Sequence, residues 1–244
     1  MQLQTRINLI LFWLLSMCNQ VSAQSHDWEL DKMPKDLETD FALSALPLHL
    51  RADASIYLLD PAKGYYIAKK GSNGFICFVI RTEWERAQFR GDLYTPISFD
   101  AEGAKVIFPV YADAATMRAS GKVGAQQLKD TIDSRIKKGI YKIPKPGISY
   151  MLGPLMRTFD EKNVVVTMCI PHYMFYAPYL TAADLGCTAK ASESGPIVLG
   201  EGTSPHGFAI MMTGEKDKSK IVADHAQLLK RLSEYRPYLK IAGS

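Results

Sequence analysis

The stretch FICFVI, residues 75–80, is apolar at six consecutive positions. A strand with one solvated face alternates apolar and polar residues, whereas this run is apolar on both faces and is typical of a central strand. The turn sequence GSNG at residues 71–74 precedes it directly. A central strand must be covered on both sides, so this stretch predicts a layered domain with helices packed on its sheet.

Other strands are predicted on both sides of this run. Residues 55–59 and 65–68 are short apolar runs, and the turn sequence of residues 60–64 separates them. Together with residues 75–80 they predict an antiparallel meander. Further strands are predicted at residues 148–152, 164–170 and 208–212, the second of them also central because it does not alternate.

Two segments have the periodicity of amphipathic helices. Leu128, Ile132 and Ile136 recur at every fourth position within residues 125–138. Residues 219–235 have a wide apolar face. Shorter helices are predicted at residues 36–46, ending before Pro47, and at residues 112–118. The sequence therefore predicts a single α+β domain over residues 47–244, with a mostly antiparallel sheet flanked by two or three helices.

The first 23 residues predict a signal peptide. Arg6 is followed by an apolar run at residues 7–18, and Val21-Ser22-Ala23 supplies small residues for cleavage before Gln24. The run is too short for a permanent span, so no stable membrane span is expected after cleavage. Lipidation at Cys18 is the alternative, but Met17 stands where a small residue is expected. We expect a periplasmic or extracellular protein, in which residues 24–46 form a polar leader and the short N-terminal helix.

Composition excludes several classes of protein. The chain is 47% hydrophobic and 22% charged, as in an ordinary globular domain, and its formal net charge is +4. The basic residues are scattered without interleaved aromatics, so nucleic-acid binding is not expected. Cleavage leaves Cys77, Cys169 and Cys187, which cannot all pair within one chain, and the sequence leaves their disulfide state open.

The densest group of candidate site residues is PHYMFYAPYL at residues 171–180. Because prolines enclose it, the sequence favours a loop at the end of a buried strand. Aromatic faces suit a small organic ligand, and an imidazole can act as base, hydrogen-bond donor or metal ligand. The alternative is that these rings complete the core, with the histidine bonded to a carbonyl. The predicted ligand-binding residues are His172, Tyr173, Phe175, Tyr176, Tyr179 and Arg81.

A long segment rich in small residues, 181–207, follows this group and contains His206. If it folds back as a lid, His206 approaches His172; the alternative is a surface loop. Asp184 or Cys187 could then complete a metal site, but the spacing fixes no third ligand. No metal or cofactor is therefore predicted, and His172 and His206 are weak catalytic candidates.

Arg81 follows the central strand on the same side as Cys77 and Val79. It could present a fork to a carboxylate ligand, or pair at the surface with Glu83 or Glu85.

Three segments carry a resemblance: GFICFVIR at residues 74–81, PGISYML at 146–152 and PHYMFYAP at 171–178. They resemble a group of exported bacterial proteins that has no assigned function, over residues 46–199. The resemblance implies an intact domain and carries over no catalytic residues.

The function expected from the sequence is the binding or sensing of a small molecule through the aromatic and histidine residues after the second central strand. One alternative is a hydrolase or metal-assisted enzyme that uses His172 and His206. A second alternative is a structural or interaction protein of the cell envelope, for which an exposed apolar patch would be expected in place of a cavity.

Overall fold

A mixed sheet of eight strands runs through the computed structural model, which describes residues 29–160, 162–187 and 195–241. Its order is β2-β1-β3-β4-β5-β8-β10-β9, and the described chain confirms the predicted single α+β domain with a mostly antiparallel sheet. The strands of this sheet are β1 Ser55–Asp60, β2 Gly64–Lys69, β3 Ile76–Ile80, β4 Thr95–Phe99, β5 Ile148–Met151, β8 His172–Tyr176, β9 Ile197–Leu199 and β10 Phe208–Met212. A separate two-stranded hairpin consists of β6 Met156–Phe159 and β7 Val165–Met168.

The meander prediction is confirmed for β1 and β2 but wrong for β3. Strands β1 and β2 pair antiparallel, whereas β3 lies along the other edge of β1 and pairs with it in parallel. The turn before β3 explains the difference. The backbone N–H groups of Ser72 and Asn73 both donate to the carbonyl of Asp53, which anchors the turn at the start of β1. The chain therefore enters β3 beside the start of β1 and runs in the same direction.

Helices cover both faces of the sheet, as the central strand requires. They are α1 Lys35–Ser44, α2 Leu48–Arg51, α3 Ala101–Val106, α4 Phe108–Ala119, α5 Ala125–Lys137, α6 Glu215–Asp224 and α7 Ala226–Tyr235. Helices α1 and α7 pack on the side of Cys77 and Val79, here called the α1 face. Helices α3 and α4 pack on the side of Phe78 and Ile97, here called the α4 face. Helix α5 packs on the outer side of α4.

The central position of residues 75–80 is confirmed. Cys77 and Val79 belong to the core beneath α1 and α7, and Ile76 and Phe78 belong to the core beneath α4. The ring of Phe78 lies edge-on to that of Phe108, with centroids 4.9 Å apart. Burial of apolar side chains on both faces is what a non-alternating strand pattern predicts.

The prediction that residues 164–170 form a central strand is wrong. Strand β7 belongs to the hairpin and is half-buried along its length, and Val164 is 55% exposed. The hairpin attaches to the main sheet through a bridge between Tyr94 and Arg157, and Thr167 donates to the carbonyl of Tyr238. Both sides of the hairpin are therefore partly covered by neighbouring segments, which accounts for an apolar run without a central position.

Two helix predictions need correction. The segment 219–235 is not one helix, because the chain breaks at His225 between α6 and α7. The helix expected at residues 112–118 begins earlier, since Pro109 occupies the first turn of α4, where the missing N–H has no intrahelical partner to lose. Helices α1 and α5 match their predicted spans closely.

The predicted signal peptide, residues 1–23, lies outside the described residues. The part of the predicted leader that is described belongs to the domain, since Met33 is buried and packs with Leu37 and Phe41 of α1 in the core. Cys77, Cys169 and Cys187 are free thiols.

Candidate functional site

The aromatic group at residues 172–176 forms strand β8, so the predicted loop is wrong. Pro171 lies just before the strand and Pro178 beyond its end, so neither proline interrupts the ladder. Successive side chains of a strand point to opposite faces. His172 and Tyr176 therefore lie on the α4 face, and Tyr173 and Phe175 on the α1 face. Tyr179 follows beyond the strand and is 51% exposed, so these residues do not converge on one pocket.

His172 is a buried histidine bonded to a backbone carbonyl, as the alternative interpretation of this segment expected. Its Nδ1 lies 2.7 Å from the carbonyl oxygen of Ile170, which can only accept, so Nδ1 carries the proton. Burial lowers the pKa of His172, against the raising effect of this hydrogen bond. The ring is therefore neutral at pH 7, with an unprotonated Nε2.

Arg81 lies on the α1 face as predicted, but its partner is not Glu83 or Glu85. The guanidinium is 1% exposed and donates to Asp31 Oδ1 at 2.8 Å and to the hydroxyl of Tyr94 at 2.9 Å. The Arg81 guanidinium also lies 4.2 Å from the centroid of the Tyr94 ring. Its partners are therefore internal, and Arg81 joins the N-terminal segment to the sheet.

The candidates of the segment 181–207 do not assemble around His172. Asp184 accepts from the backbone N–H and hydroxyl of Thr181, which fixes a 3-10 turn at Ala183–Leu185. Cys187 Sγ lies 3.6 Å from the carbonyl oxygen of Leu185. His206 Nε2 lies 2.9 Å from the carbonyl oxygen of Lys142, on a different segment from the partner of His172. Across the described ranges, no group of three or more His, Cys, Asp or Glu side chains is placed to hold a metal ion.

A cleft of about 420 Å³ opens on the α4 face of the sheet. Its floor is formed by β3, β4, β5, β8 and β10, and its walls by residues 83–93, helix α4, the β6–β7 hairpin and the loop after β9. Apolar side chains predominate in the lining, as in most small-molecule sites. The lining residues include Ile80, Trp84, Ile97, Tyr111, Met151, Met156, Met174 and Phe208, together with the polar residues Glu83, Glu85, Arg86, Thr95, Thr158, Ser204 and His206.

Glu83 is the most unusual polar group of this cleft. Its Oε1 accepts from the backbone N–H of Arg86 at 3.0 Å, and the Arg86 guanidinium lies 3.9 Å from the same oxygen. Its Oε2 is buried and has no hydrogen-bond partner among the described residues. Burial, with a smaller effect of the Glu85 charge, raises the pKa of Glu83. Glu83 lines the cleft, so a donor that reaches Oε2 would relieve the cost of about 1–3 kcal/mol that an unsatisfied buried group carries.

Three other polar residues of the cleft, Arg86, Ser204 and His206, already have hydrogen-bond partners. Arg86 donates to Asn163, and its guanidinium lies over the ring of Phe159, with 4.3 Å to the centroid. Ser204 Oγ accepts from the backbone N–H of His206 at 3.1 Å, and the imidazole Nε2 of His206 lies 2.9 Å from the carbonyl oxygen of Lys142. Burial lowers the pKa of His206. Glu83 and His206 thus have pKa values shifted in opposite directions within one cleft.

A second recess, of about 400 Å³, lies between α6, α7 and residues 239–241. Its lining is aliphatic apart from Ser233, Lys230 and Lys240. It offers no group whose hydrogen bonding is unsatisfied, so the Glu83 cleft is the better candidate site.

Of the predicted site residues, His206 alone lines the cleft. Sequence reasoning missed Glu83, Trp84 and Tyr111, which come from a loop and from helix α4. No motif or spacing unites them, because the sheet brings them together only in the folded chain. The available signal was the charged and aromatic run TEWER at residues 82–86 directly after the central strand, a position where folds often place binding groups.

Within the described ranges, no helix combines the length and apolar character needed to cross a membrane. Comparison of the chain with protein-family models, with curated proteins and with solved structures gives no match.

Proposed function

We propose that the protein is an exported binding or sensing protein whose ligand is a small organic molecule held in the Glu83 cleft. The observation that carries the proposal is the buried, unpartnered Oε2 of Glu83 in a cleft whose lining is mostly apolar. The apolar part of the ligand packs against Trp84, Tyr111 and Phe208, and an N–H or O–H group of the ligand donates to Glu83. The proposed site is therefore the Glu83 cleft on the α4 face, and not the aromatic residues of β8.

The volume of the cleft sets the size of the ligand. Ligand pockets commonly measure about 300–1,000 Å³, so about 420 Å³ corresponds to the lower part of that range. A small molecule with one aromatic or branched aliphatic group and one donor fits these dimensions.

If the protein is an enzyme, its catalytic candidates are Glu83 and His206, and no longer His172 and His206. A His172–His206 pair is not supported, since the two imidazoles bond to the carbonyls of Ile170 and Lys142, and His172 is not part of the cleft lining. The specific observation on which an enzyme could be built is that Glu83 and His206 line one cleft, where burial raises the pKa of the carboxyl and lowers that of the imidazole, so that the neutral form of each is favoured. The enzyme alternative would be supported if the parent chain hydrolyses a bound ligand. Glu83→Gln and His206→Gln should then each abolish this hydrolysis.

Trp84 provides a direct test of binding. It is buried in the cleft lining, and Trp28 is the other tryptophan that follows the predicted cleavage site. In the chain beginning at Gln24 with Trp28→Phe, Trp84 is the remaining tryptophan, so the tryptophan fluorescence reports on the cleft. A panel of small amines, alcohols and amides with aromatic or branched groups should contain molecules that change this fluorescence saturably.

The variant Glu83→Gln tests the role of the carboxylate. Loss of a charge-assisted hydrogen bond of about 1.5–3 kcal/mol should weaken binding by about 10- to 100-fold. Glu234→Gln, on the exposed side of α7, is the matched control and should bind as the parent does. Equal affinity of the Glu83→Gln and parent chains would rule out the proposed recognition.

A further inference from the structure

Methionine side chains surround His172 on the α4 face. Met151 of β5 and Met212 of β10 lie directly opposite His172 in the two ladders, one on each side. Directly opposed residues point to the same face, with Cβ atoms about 4.5–5.5 Å apart. Met174 lies on the same face, two residues along β8. The sheet register thus places three methionines beside one histidine on the same face.

The orientation of the imidazole leaves one ring nitrogen available to this group. Because Nδ1 donates to the carbonyl of Ile170, Nε2 keeps its lone pair, and no hydrogen-bond partner of Nε2 occurs in the part of the chain that the structure describes. Metal-binding histidines usually donate their other ring N–H to a carbonyl or carboxylate in this way. His172 is also nearly buried, so its ring orientation is fixed by packing.

The chemistry of the four donors selects the ion. Thioether sulfur is a soft, neutral ligand that suits Cu(I), whereas Zn²⁺ favours thiolate, imidazole and carboxylate. From this arrangement we infer that His172, Met151, Met174 and Met212 form a binding site for a soft monovalent ion, Cu(I) or its redox-inert counterpart Ag(I). The long, flexible methionine side chains can adjust to the low coordination number of such an ion.

Met212, one of the four ligands, is 46% exposed at the end of β10, so an ion can reach this ligand from solvent. The site is distinct from the carboxylate of the Glu83 cleft, although Met151 and Met174 also line that cleft. The inference does not depend on the proposed function, and Glu83→Gln should leave metal binding unchanged.

Methyl NMR of the chain beginning at Gln24, with labelled methionine ε-methyl groups, tests the geometry. On titration with Ag(I), we expect the signals of Met151, Met174 and Met212 to shift and to saturate at about one equivalent. The signal of Met211 should stay in place, because Met211 points to the opposite face. Assignment comes from single Met→Leu variants, which keep the side-chain volume nearly constant.

Anaerobic competition with the Cu(I) chelator bicinchoninate measures the affinity. His172→Gln and Met212→Leu should each weaken Cu(I) binding by at least about tenfold, as loss of a ligand requires. Met211→Leu, the neighbouring exposed methionine, is the control and should change it less than about twofold. Met212→Leu keeps the test valid if His172→Gln fails to fold.

Three results would overturn the inference: no transfer of Cu(I) from the chelator to the folded chain, equal losses in Met211→Leu and Met212→Leu, or displacement of Ag(I) by equimolar Zn²⁺.

Discussion

Glu38 is a carboxyl group almost completely enclosed in the core. Its Oε1 accepts from the backbone N–H of Leu59 at 2.8 Å, which links α1 to β1. Burial raises the pKa of Glu38 to about 7, and the hydrogen bond and the charges of Arg81 and Lys32 only partly oppose this shift. Glu38 thus keeps its proton in the folded protein at pH values where the unfolded chain has lost it.

This pKa makes stability depend on pH in a specific window. The folded chain binds one more proton than the unfolded chain between pH of about 4.5 and about 7, so this group makes the free energy of unfolding fall as pH rises through that window. A shift of this size corresponds to about 3 kcal/mol in total. Glu38→Gln lacks this contribution. Between pH 4.5 and pH 8, its free energy of unfolding should therefore fall less than that of the parent.

Urea unfolding of both proteins at pH 4.5, 6 and 8 measures this difference. The histidines, whose pKa values burial lowers, contribute equally to both proteins and cancel in the comparison. Parallel stability curves for the parent and Glu38→Gln would show that the pKa of Glu38 is the same in the folded and unfolded chains, which contradicts the raised value.

At the residue scale, the position of a side chain was easier to predict from the sequence than the identity of its hydrogen-bond partner. The alternative interpretation of His172, a packed histidine bonded to a carbonyl, matches the structure. Arg81 is on the predicted face, but its partner Asp31 is distant in sequence, so no local pattern could identify it. Glu83 could not be recognised as a site residue, because its burial depends on the hairpin and helix α4 that close around it.

At the element scale, Asp100 joins three elements at one end of the sheet. Its Oδ1 caps α3 by accepting from the N–H of Gly103 and lies 2.8 Å from the Tyr176 hydroxyl. Its Oδ2 accepts from the N–H of Ile148 in β5 at 2.8 Å. A Cβ at Gly103 or at Gly147 would collide with the Tyr176 ring, so both positions need glycine for close approach.

We expect Asp100→Ala to destabilise the protein by about 2–3 kcal/mol, because it removes a helix cap and a link between strands together. Thermal unfolding followed by circular dichroism measures the loss. Asp60→Ala, at the end of β1, removes the hydrogen bond that Ala62 N–H donates and an exposed ion pair with Lys32, and should cost about 1 kcal/mol or less. Similar costs in the two variants would mean that Asp100 is no more than a turn residue.

Elements with consistent local patterns were predictable, and the others depended on tertiary contacts. Helix α5 has a regular apolar spacing and a glycine stop, and β3 has an apolar run between turns; both were predicted correctly. Strand β8 was predicted to be a loop, because its flanking prolines were expected to interrupt a strand. Both prolines lie outside the strand. Strand β7 was assigned to the main sheet because apolar runs in a covered hairpin and in a central strand have the same appearance in sequence.

At the scale of the whole molecule, Arg81 and Asp31 join the two ends of the described chain. Asp31 Oδ1 pairs with Arg81 after β3, and Asp31 Oδ2 accepts from Tyr235 and Arg236 at the end of α7. The hydrogen bonds of Tyr235 and Arg81 and the Arg81 charge lower the pKa of Asp31 to about 2, against the opposing effect of burial. The N-terminal segment and α7 are therefore held against the same end of the sheet.

Arg81→Met should destabilise the protein by about 1.5–3 kcal/mol, since it removes the hydrogen bonds of a buried guanidinium to Asp31 and Tyr94, although Asp31 keeps its bonds from Tyr235 and Arg236. The matched control is Arg231→Met on α7, whose exposed guanidinium pairs with Asp36 and Asp40 of α1 and should contribute about 1 kcal/mol or less. Chemical unfolding midpoints at constant m-value compare the two. A loss in Arg81→Met as small as that in Arg231→Met would show that the pair contributes little to joining the ends.

Native mass spectrometry shows without any added probe whether the Glu83 cleft holds a small molecule. The chain beginning at Gln24 is purified without denaturation and compared with Thr158→Trp, which fills the cleft from β6, and with Val164→Trp, a control at an exposed position of the same hairpin. We predict an organic adduct of one defined mass on the parent chain and on Val164→Trp, and none on Thr158→Trp. A folded parent chain with no adduct, or an adduct retained by Thr158→Trp, would contradict the assignment of the cleft as the binding site.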